Sequence, residues 1–395
     1  MSGPFSRVFS PARLLSPGSR VALFMSAVFA TFAIQGAYLP LWFADRGLSA
    51  SSIGQILGVA SLFRVLCGPA WGAVADRVGQ RGTVLFLTAL AATCGALLYL
   101  PSHGFTAILL VAAGQGMVSS ALSPLIDAMA LALMREGRMQ YGPIRAWGSA
   151  AFMTATAAGG WLVGAVGSWL VPWLLATGYA TAAASARLLV EPATQSGPRN
   201  PLAALSLLKR PAFLLTIACS ALIQGAHAAY YGFGPLFWRS QGFSDATIGL
   251  LIAEGIVAEI FLFARGRKLV ERLGPAGLTA IAAGASVLRW TVTAFSPPLA
   301  VLAAMQALHA ATFAFQHLSA MQMLTRTIPP ERAGTAQSLH AALGMGAPTG
   351  LMMLVCGWLY AGTGGHVFLA MAALAGLALL LVRPLWRASL PGGVE

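Results

Sequence analysis

The sequence predicts an all-α integral membrane protein: twelve transmembrane helices in two pseudo-symmetric six-helix bundles. Three observations carry that expectation. Of the 395 residues, 57% are hydrophobic and only 9% charged, with a mean hydropathy of +0.75, whereas soluble domains carry roughly 25% charged residues. Twelve apolar runs are long enough to cross a hydrocarbon core, which takes about 20 residues each. A stretch of the first half also recurs in register in the second.

The expected spans are 21–43, 53–75, 83–100, 105–134, 143–166, 168–189, 211–238, 247–265, 275–295, 298–324, 334–361 and 365–383. The fourth and fifth are joined by the polar turn Arg135-Glu136-Gly137-Arg138 and form a hairpin. Asp127 and Arg145 lie nine residues on either side of Glu136, which holds them at one depth, roughly 13 Å from the turn at 1.5 Å per residue. The eleventh span carries Gly344, Gly346 and Gly350 around Pro348, a packing and bending pattern rather than a phosphate loop.

The longest polar interruption, residues 191–210, contains three prolines and reads as a linker. It divides the chain into a tail at 1–20, a bundle at 21–190, the linker, a second bundle at 211–383 and a tail at 384–395. PLWFADRGLSASSIG at 40–54 aligns with PLFWRSQGFSDATIG at 235–249, an offset of 195. The same offset carries Asp76-Arg77-Val78-Gly79 onto Glu271-Arg272-Leu273-Gly274. Internal duplication of this kind is a signature of secondary transporters.

A formal charge of +13 would suit a nucleic-acid binder only if the basic residues clustered on polar helices. They fall instead in short loops: nineteen of the 24 Lys and Arg collect on one side of the expected spans, against Arg46 and Arg239 on the other. By the positive-inside rule both termini and the linker are expected in the cytoplasm, with the chain multi-pass in the cell inner membrane. The first residues lack a compact apolar run before a cleavage site and read as a retained tail. Cys67, Cys94, Cys219 and Cys356 lie apart in apolar segments without CxxC spacing and read as small buried hydrophobes.

Three basic and three acidic residues remain inside the spans: Arg64, Arg145, Arg289, Asp127, Glu254 and Glu259. Each costs at least about 2.5–3.5 kcal/mol at a helix centre unless paired or facing water, so together they suggest a neutralised, water-accessible cavity. Arg64 and Glu259 each stand 12 residues before the repeat positions Asp76 and Glu271, at matching depths in opposite halves. His227, His309, His317 and His340 also lie in spans; imidazole suits proton passage or hydrogen bonding to a polar solute. Phe152, seven residues after Arg145, falls on the same helix face and can stack on a flat ligand. Trp42 and Trp238 suit interface anchors.

The loop Gly72-Ala-Val-Ala-Asp76-Arg77-Val-Gly79-Gln-Arg81 resembles the GxxxDRxGRR-type loop of the major facilitator superfamily, with Gln80 in place of one basic residue. Gly72 would permit close helix approach, Asp76 would pair across the gate, and Arg77 and Arg81 would anchor the loop. Within the superfamily, Tyr141-Gly142-Pro143-Ile144-Arg145-Ala146-Trp147-Gly148-Ser149 resembles the fifth-span segment of the lactose-permease-like and phenylpropionate-permease-like branch. Arg289 and His309 keep that branch's spacing of 20 residues. The chain departs where a carboxylate would follow the histidine by one turn: Thr312 stands there, so lactose transport is not implied and a proton carrier must lie elsewhere.

The resemblance implies a proton-coupled symporter, acting as a monomer, for a small organic solute such as 3-phenylpropionate or a related aromatic carboxylic acid. Asp127, Arg145, Phe152, Arg289 and His309 would bind substrate, with Arg145 or Arg289 on the carboxylate. Arg64, Asp76, Arg77, Glu254 and Glu259 would serve coupling or gating, with Asp127, Glu254 or Glu259 exchanging the proton. The alternatives are a proton symporter for a neutral sugar or nucleoside and, more remotely, a non-transporting solute sensor. No cofactor or metal is implied, and the chain shows no Walker A loop, HExxH or nucleophile elbow that would make it an enzyme.

Overall fold

The computed structural model describes residues 15–193, 206–329 and 332–390. Most of the expected linker, the first 14 residues of the expected tail and the last five residues lie outside the described residues, and Arg7, Arg13 and Arg199 with them.

Among the described residues the chain is helical, without strands. The first half comprises α1 (Pro17–Asp45), α2 (Ala50–Val78), α3 (Arg81–Leu98), α4 (Gly104–Ser119), α5 (Leu122–Arg135), α6 (Tyr141–Val166) and α7 (Val171–Ala186). The second comprises α8 (Pro211–Gly225), α9 (Ala228–Ser240), α10 (Asp245–Arg265), α11 (Arg267–Ala294), α12 (Leu299–Ala307), α13 (Gln316–Thr327), α14 (Ala333–Leu339), α15 (Ala347–Thr363) and α16 (Val367–Ala388). Each of the twelve expected spans is occupied by helix, and eight described stretches are by themselves long and apolar enough to cross a membrane.

The extra helices arise where spans break. The fourth span is α4 plus α5, and the seventh is α8 plus α9. The tenth and eleventh contain π-helical segments, Ala310–Phe315 and His340–Gly346; such wide turns are frequent at functional positions. In α11, Gly274 at φ 63° interrupts the helix before Pro275, so the ninth span begins there and residues 267–273 form a separate piece.

The duplication is visible in the backbone. Ser49 and Ser244, 195 residues apart, cap α2 and α10 by accepting from the amides of Ser52 and Thr247, both at 3.2 Å. Gly47 and Gly242 share a positive φ, as do Gly79 and Gly274, and Pro40 and Pro235 lie inside equivalent helices.

The halves pack through α2 on α15, α6 on α10 and α1 on α9. Gly54 and Gly357 let α2 and α15 touch backbone to backbone: a methyl at Gly54 would lie 2.5 Å from Gly357 Cα. Arg239 ties the same end together, reaching Asp45 of the first half at 3.0 Å and Asp245 at 2.8 Å. Toward the linker end the halves diverge. A methyl at Gly346 of the eleventh span would still lie 2.5 Å from Val65 of α2, while at Gly68 and Gly72 it would meet nothing within 4 Å. Gly72 therefore does not permit a close helix approach here; it borders open space.

Large apolar side chains such as Leu66, Trp161, Trp358 and Leu380 are exposed, as a surface solvated by lipid requires. Trp42 and Trp238 are not interface anchors but fully buried, packed on Tyr99 and Tyr230 respectively. Cys219 and Cys356 are buried as expected, whereas Cys94 is exposed.

Candidate functional site

The second half holds a buried polar cluster centred on Arg289, which is 0% exposed. Its guanidinium lies between the rings of Tyr230 and Trp290, at 4.7 and 4.5 Å. One terminal nitrogen donates to Thr312 Oγ1 and to His309 Nδ1, each at 3.1 Å, and the other to Gln306 Oε1 at 2.8 Å. Guanidinium can only donate, so Nδ1 of His309 accepts, and a neutral His309 carries its hydrogen on Nε2. That nitrogen points at Glu259, whose Oε2 is 3.6 Å away. Gly255, one turn before Glu259, makes the approach possible, because a methyl there would come within 3.1 Å of His309 Cβ.

Thr312 does not leave the histidine without a carboxylate. Its hydroxyl receives Arg289 and lies 3.1 Å from Nε2 of His227. His227 Nδ1 lies 2.9 Å from the Ile223 carbonyl; an oxygen there can only accept, so His227 has its hydrogen on Nδ1 and takes one from Thr312 on Nε2. The carboxylate beside His309 comes instead from the eighth span, as Glu259. The break between α8 and α9 and the π turn at Ala310–Phe315 present His227 and Thr312 to Arg289 from two helices.

In the first half, Asp127 and Arg145 form no direct ion pair. Asp127 accepts from Tyr141 at 3.0 Å and from Ser123 at 3.4 Å. Arg145 lies over the Phe29 ring at 4.2 Å and donates to Ser149 at 3.4 Å. The short hairpin brings Tyr141 to Asp127, while Arg145 turns onto α1. Arg145 remains within electrostatic reach of Asp127 and, across the halves, of Glu259. Phe152 is half-buried on α6.

Between α1 and α2 lies a cavity of about 140 Å³, lined from the first half by Arg64, Phe32, Gln35 and Leu39 and from the second by Tyr231 and Met353. Tyr231 stacks on His227, with centroids 5.8 Å apart, so the cavity touches the Arg289 cluster through one ring.

Three expected site residues stand apart. Glu254 shares the exposed stripe of Leu250, Val257 and Phe261 on α10, not the face carrying Gly255 and Glu259. Asp76 pairs with Arg81 of its own half at 3.5 Å instead of reaching across the gate. Arg77 is exposed at the end of α2.

The sequence reading missed Gln35, Gln306, Phe29 and the Asp45–Arg239–Asp245 bridge. For the bridge a signal existed: within the aligned repeat, Asp45, Arg239 and Asp245 face Ser240, Ala44 and Ala50, so the charges sit where the two copies differ. Gln35 and Gln306 gave no comparable signal.

Residues 20–370 match the MFS_1-like family. The chain is 31% identical over 367 residues to the "Probable 3-phenylpropionic acid transporter" of Escherichia coli (strain K12), covering 90% of this chain and 95% of that one. It is 29% identical over 360 residues to the maltose permease of Geobacillus stearothermophilus, covering 86% and 88%. In fold it is similar to the crystal structure of the nucleoside transporter NupG, with a TM-score of 0.80 at 18% identity over 94% of this chain and 100% of that one. It is also similar to a bacterial homologue of the human lysosomal transporter Spinster in an inward-facing, unoccupied conformation, with a TM-score of 0.74 at 17% identity over 97% and 99%. The duplicated helical architecture and these matches agree: the chain is a multi-pass membrane transporter and belongs to the MFS_1-like family of the major facilitator superfamily.

Proposed function

We propose that the chain imports a small aromatic carboxylic acid of the 3-phenylpropionate class together with protons, by rocking its two bundles about the central cavity. The carrying observation is Glu259, a carboxyl 3.6 Å from His309 and within electrostatic reach of Arg145 on the opposite bundle. His309 is poorly placed to hold an additional proton, because a hydrogen on Nδ1 would meet the Arg289 donor. Glu259 is then the group that exchanges the proton, and His309 and Arg289 position it.

Coupling follows from the sign of that carboxyl. Ionised, Glu259 attracts Arg145 and draws the bundles together near the linker end. Protonated, it loses the attraction and that end opens, the arrangement in which Gly68 and Gly72 border open space. With the linker and both termini in the cytoplasm of the cell inner membrane, as the loop charges favour, this is an inward-open state of a monomer with bundles at 21–190 and 211–383. Asp127, held by Tyr141, tunes Arg145 and does not itself carry the proton.

The likeness to a maltose permease keeps one second reading, proton symport of a neutral sugar. Proteoliposomes separate the two. Labelled 3-phenylpropionate accumulates when the outside is acidified and maltose does not; acid uptake indifferent to the pH gradient overturns the coupling, and accumulation of maltose alone overturns the substrate class.

A further inference from the structure

The geometry points to Arg64, rather than Arg145 or Arg289, as the residue that binds the substrate carboxylate, with the aryl ring held beyond it between α1 and α2. This inference rests on the reading that the substrate is an aromatic acid, and names the side chain that selects it.

The three intramembrane arginines differ in what they have left to offer. Arg289 is fully buried, with both terminal nitrogens engaged by His309, Thr312 and Gln306. Arg145 is laid on Phe29 and bonded to Ser149. Arg64 is exposed, lines the cavity, and its guanidinium lies over the face of Phe32 at 5.3 Å, with the phenols of Tyr99 and Tyr179 within electrostatic reach and no hydrogen bond or ion pair to a described residue. It is also the one charged side chain among the described cavity-lining residues. A guanidinium inside a membrane protein needs a counter-charge or water, and a carboxylate matches its donor fork better than any neutral group.

A second donor stands beside it. Tyr179 donates to Gln35 Oε1 at 2.6 Å, which fixes the amide and leaves its Nε2 for the cavity that Gln35 lines. Apart from Ser61 and the phenols of Tyr99 and Tyr231, the rest of the wall is apolar. Phe32, Gln35 and Leu39 follow one face of α1; Leu57, Ser61 and Arg64 follow one face of α2. Because the two helices run in opposite directions, Arg64 and Phe32 lie toward the linker end and Leu39 and Leu57 deeper. The cavity measures about 140 Å³, close to the roughly 150 Å³ of apolar space that accepts a benzene ring. The acid therefore sits with its carboxylate toward the linker end and its ring toward the closed end, against Met353 of the other bundle. Tyr231, which also lines the cavity and stacks on His227, passes its occupancy to the Arg289 cluster.

The test compares 3-phenylpropionate with its neutral isostere 3-phenylpropanamide, measured calorimetrically on purified protein at pH 7.5. The wild type binds the acid at least about tenfold tighter, 1.4 kcal/mol. Arg64→Gln binds both at the amide's affinity, Arg64→Lys recovers part of the preference, and Arg145→Gln keeps the acid-to-amide ratio whatever its absolute affinity. On wild-type protein, phenylglyoxal modifies Arg64, and the acid but not the amide protects it, read by peptide mass. An unchanged ratio in Arg64→Gln, or absence of protection, overturns the assignment while leaving the aromatic-acid reading intact. Wild-type protein that does not prefer the acid overturns that reading and the assignment with it.

Discussion

Glu259 and His309 meet across the contact between the eighth and tenth spans, with Oε2 of one 3.6 Å from Nε2 of the other. Arg289 fixes which way the imidazole faces by donating to its Nδ1, so the histidine presents a hydrogen to the carboxyl without gaining charge. An amide can do the same, its oxygen toward Arg289 and its nitrogen toward Glu259. His309→Gln is expected to retain pH-driven uptake within about tenfold, a loss of about 1.4 kcal/mol, while His309→Leu abolishes it. Equal loss in both variants would mean that the imidazole itself carries the proton.

Arg289 is a structural keystone of the cluster as well as its charge. Arg289→Ala leaves the acceptors on His309, Thr312 and Gln306 without their donor in a fully buried site, at about 1–3 kcal/mol for each buried group left unsatisfied. Its unfolding temperature in detergent is expected to fall well below that of Arg64→Ala, whose guanidinium has no hydrogen-bonded partner among the described residues to strand. Comparable melting of the two variants would contradict the buried network.

At the closed end, steric fit matters more than charge. Gly54→Val places atoms into the Gly357 backbone, where even a methyl comes within 2.5 Å, and should part the bundles there. A cysteine introduced at Ser51, next to that contact, is expected to react with a membrane-impermeant maleimide at least several-fold faster in the Gly54→Val background. An unchanged rate would mean that the end is not held shut by this contact.

The Asp45–Arg239 bridge is partly exposed, with side chains 47% and 29% accessible, and such pairs contribute about 0–1 kcal/mol. Asp45→Asn is therefore expected to raise the same maleimide rate no more than about fivefold, and raising salt to 1 M, where the Debye length is about 3 Å, should reproduce part of that effect in the wild type. A rise of a hundredfold would make the bridge, not the glycine contact, the principal lock.

The fold was legible because lipid imposes a simple pattern: apolar runs of fixed length, basic loops on one side, and a repeat whose caps at Ser49 and Ser244 reappear in the backbone. The site was only partly legible. The family resemblance joined Arg289 to His309 through the 20-residue spacing they keep, and the structure brings them to 3.1 Å. Spacing could not show that Thr312 would bond Arg289 and that the carboxylate would arrive from another helix as Glu259. Helical phase decided the fate of Glu254: five residues from Glu259 turn the helix by about 140° at 3.6 residues per turn, which carries it to the exposed stripe. Equal depth put Asp127 and Arg145 level, but depth does not fix which rotamer wins, and Tyr141 and Phe29 took the contacts that an ion pair would have used.

The role of Glu259 is tested most directly in proteoliposomes containing Glu259→Gln, comparing uptake of labelled 3-phenylpropionate driven by a pH gradient with counterflow at equal pH. A neutral glutamine cannot take or give a proton, yet it still faces His309. The expected result is loss of gradient-driven accumulation by at least about a hundredfold, 2.7 kcal/mol, with counterflow preserved within a few-fold. Gradient-driven accumulation that survives in Glu259→Gln would contradict the assignment of the coupled proton to this carboxyl.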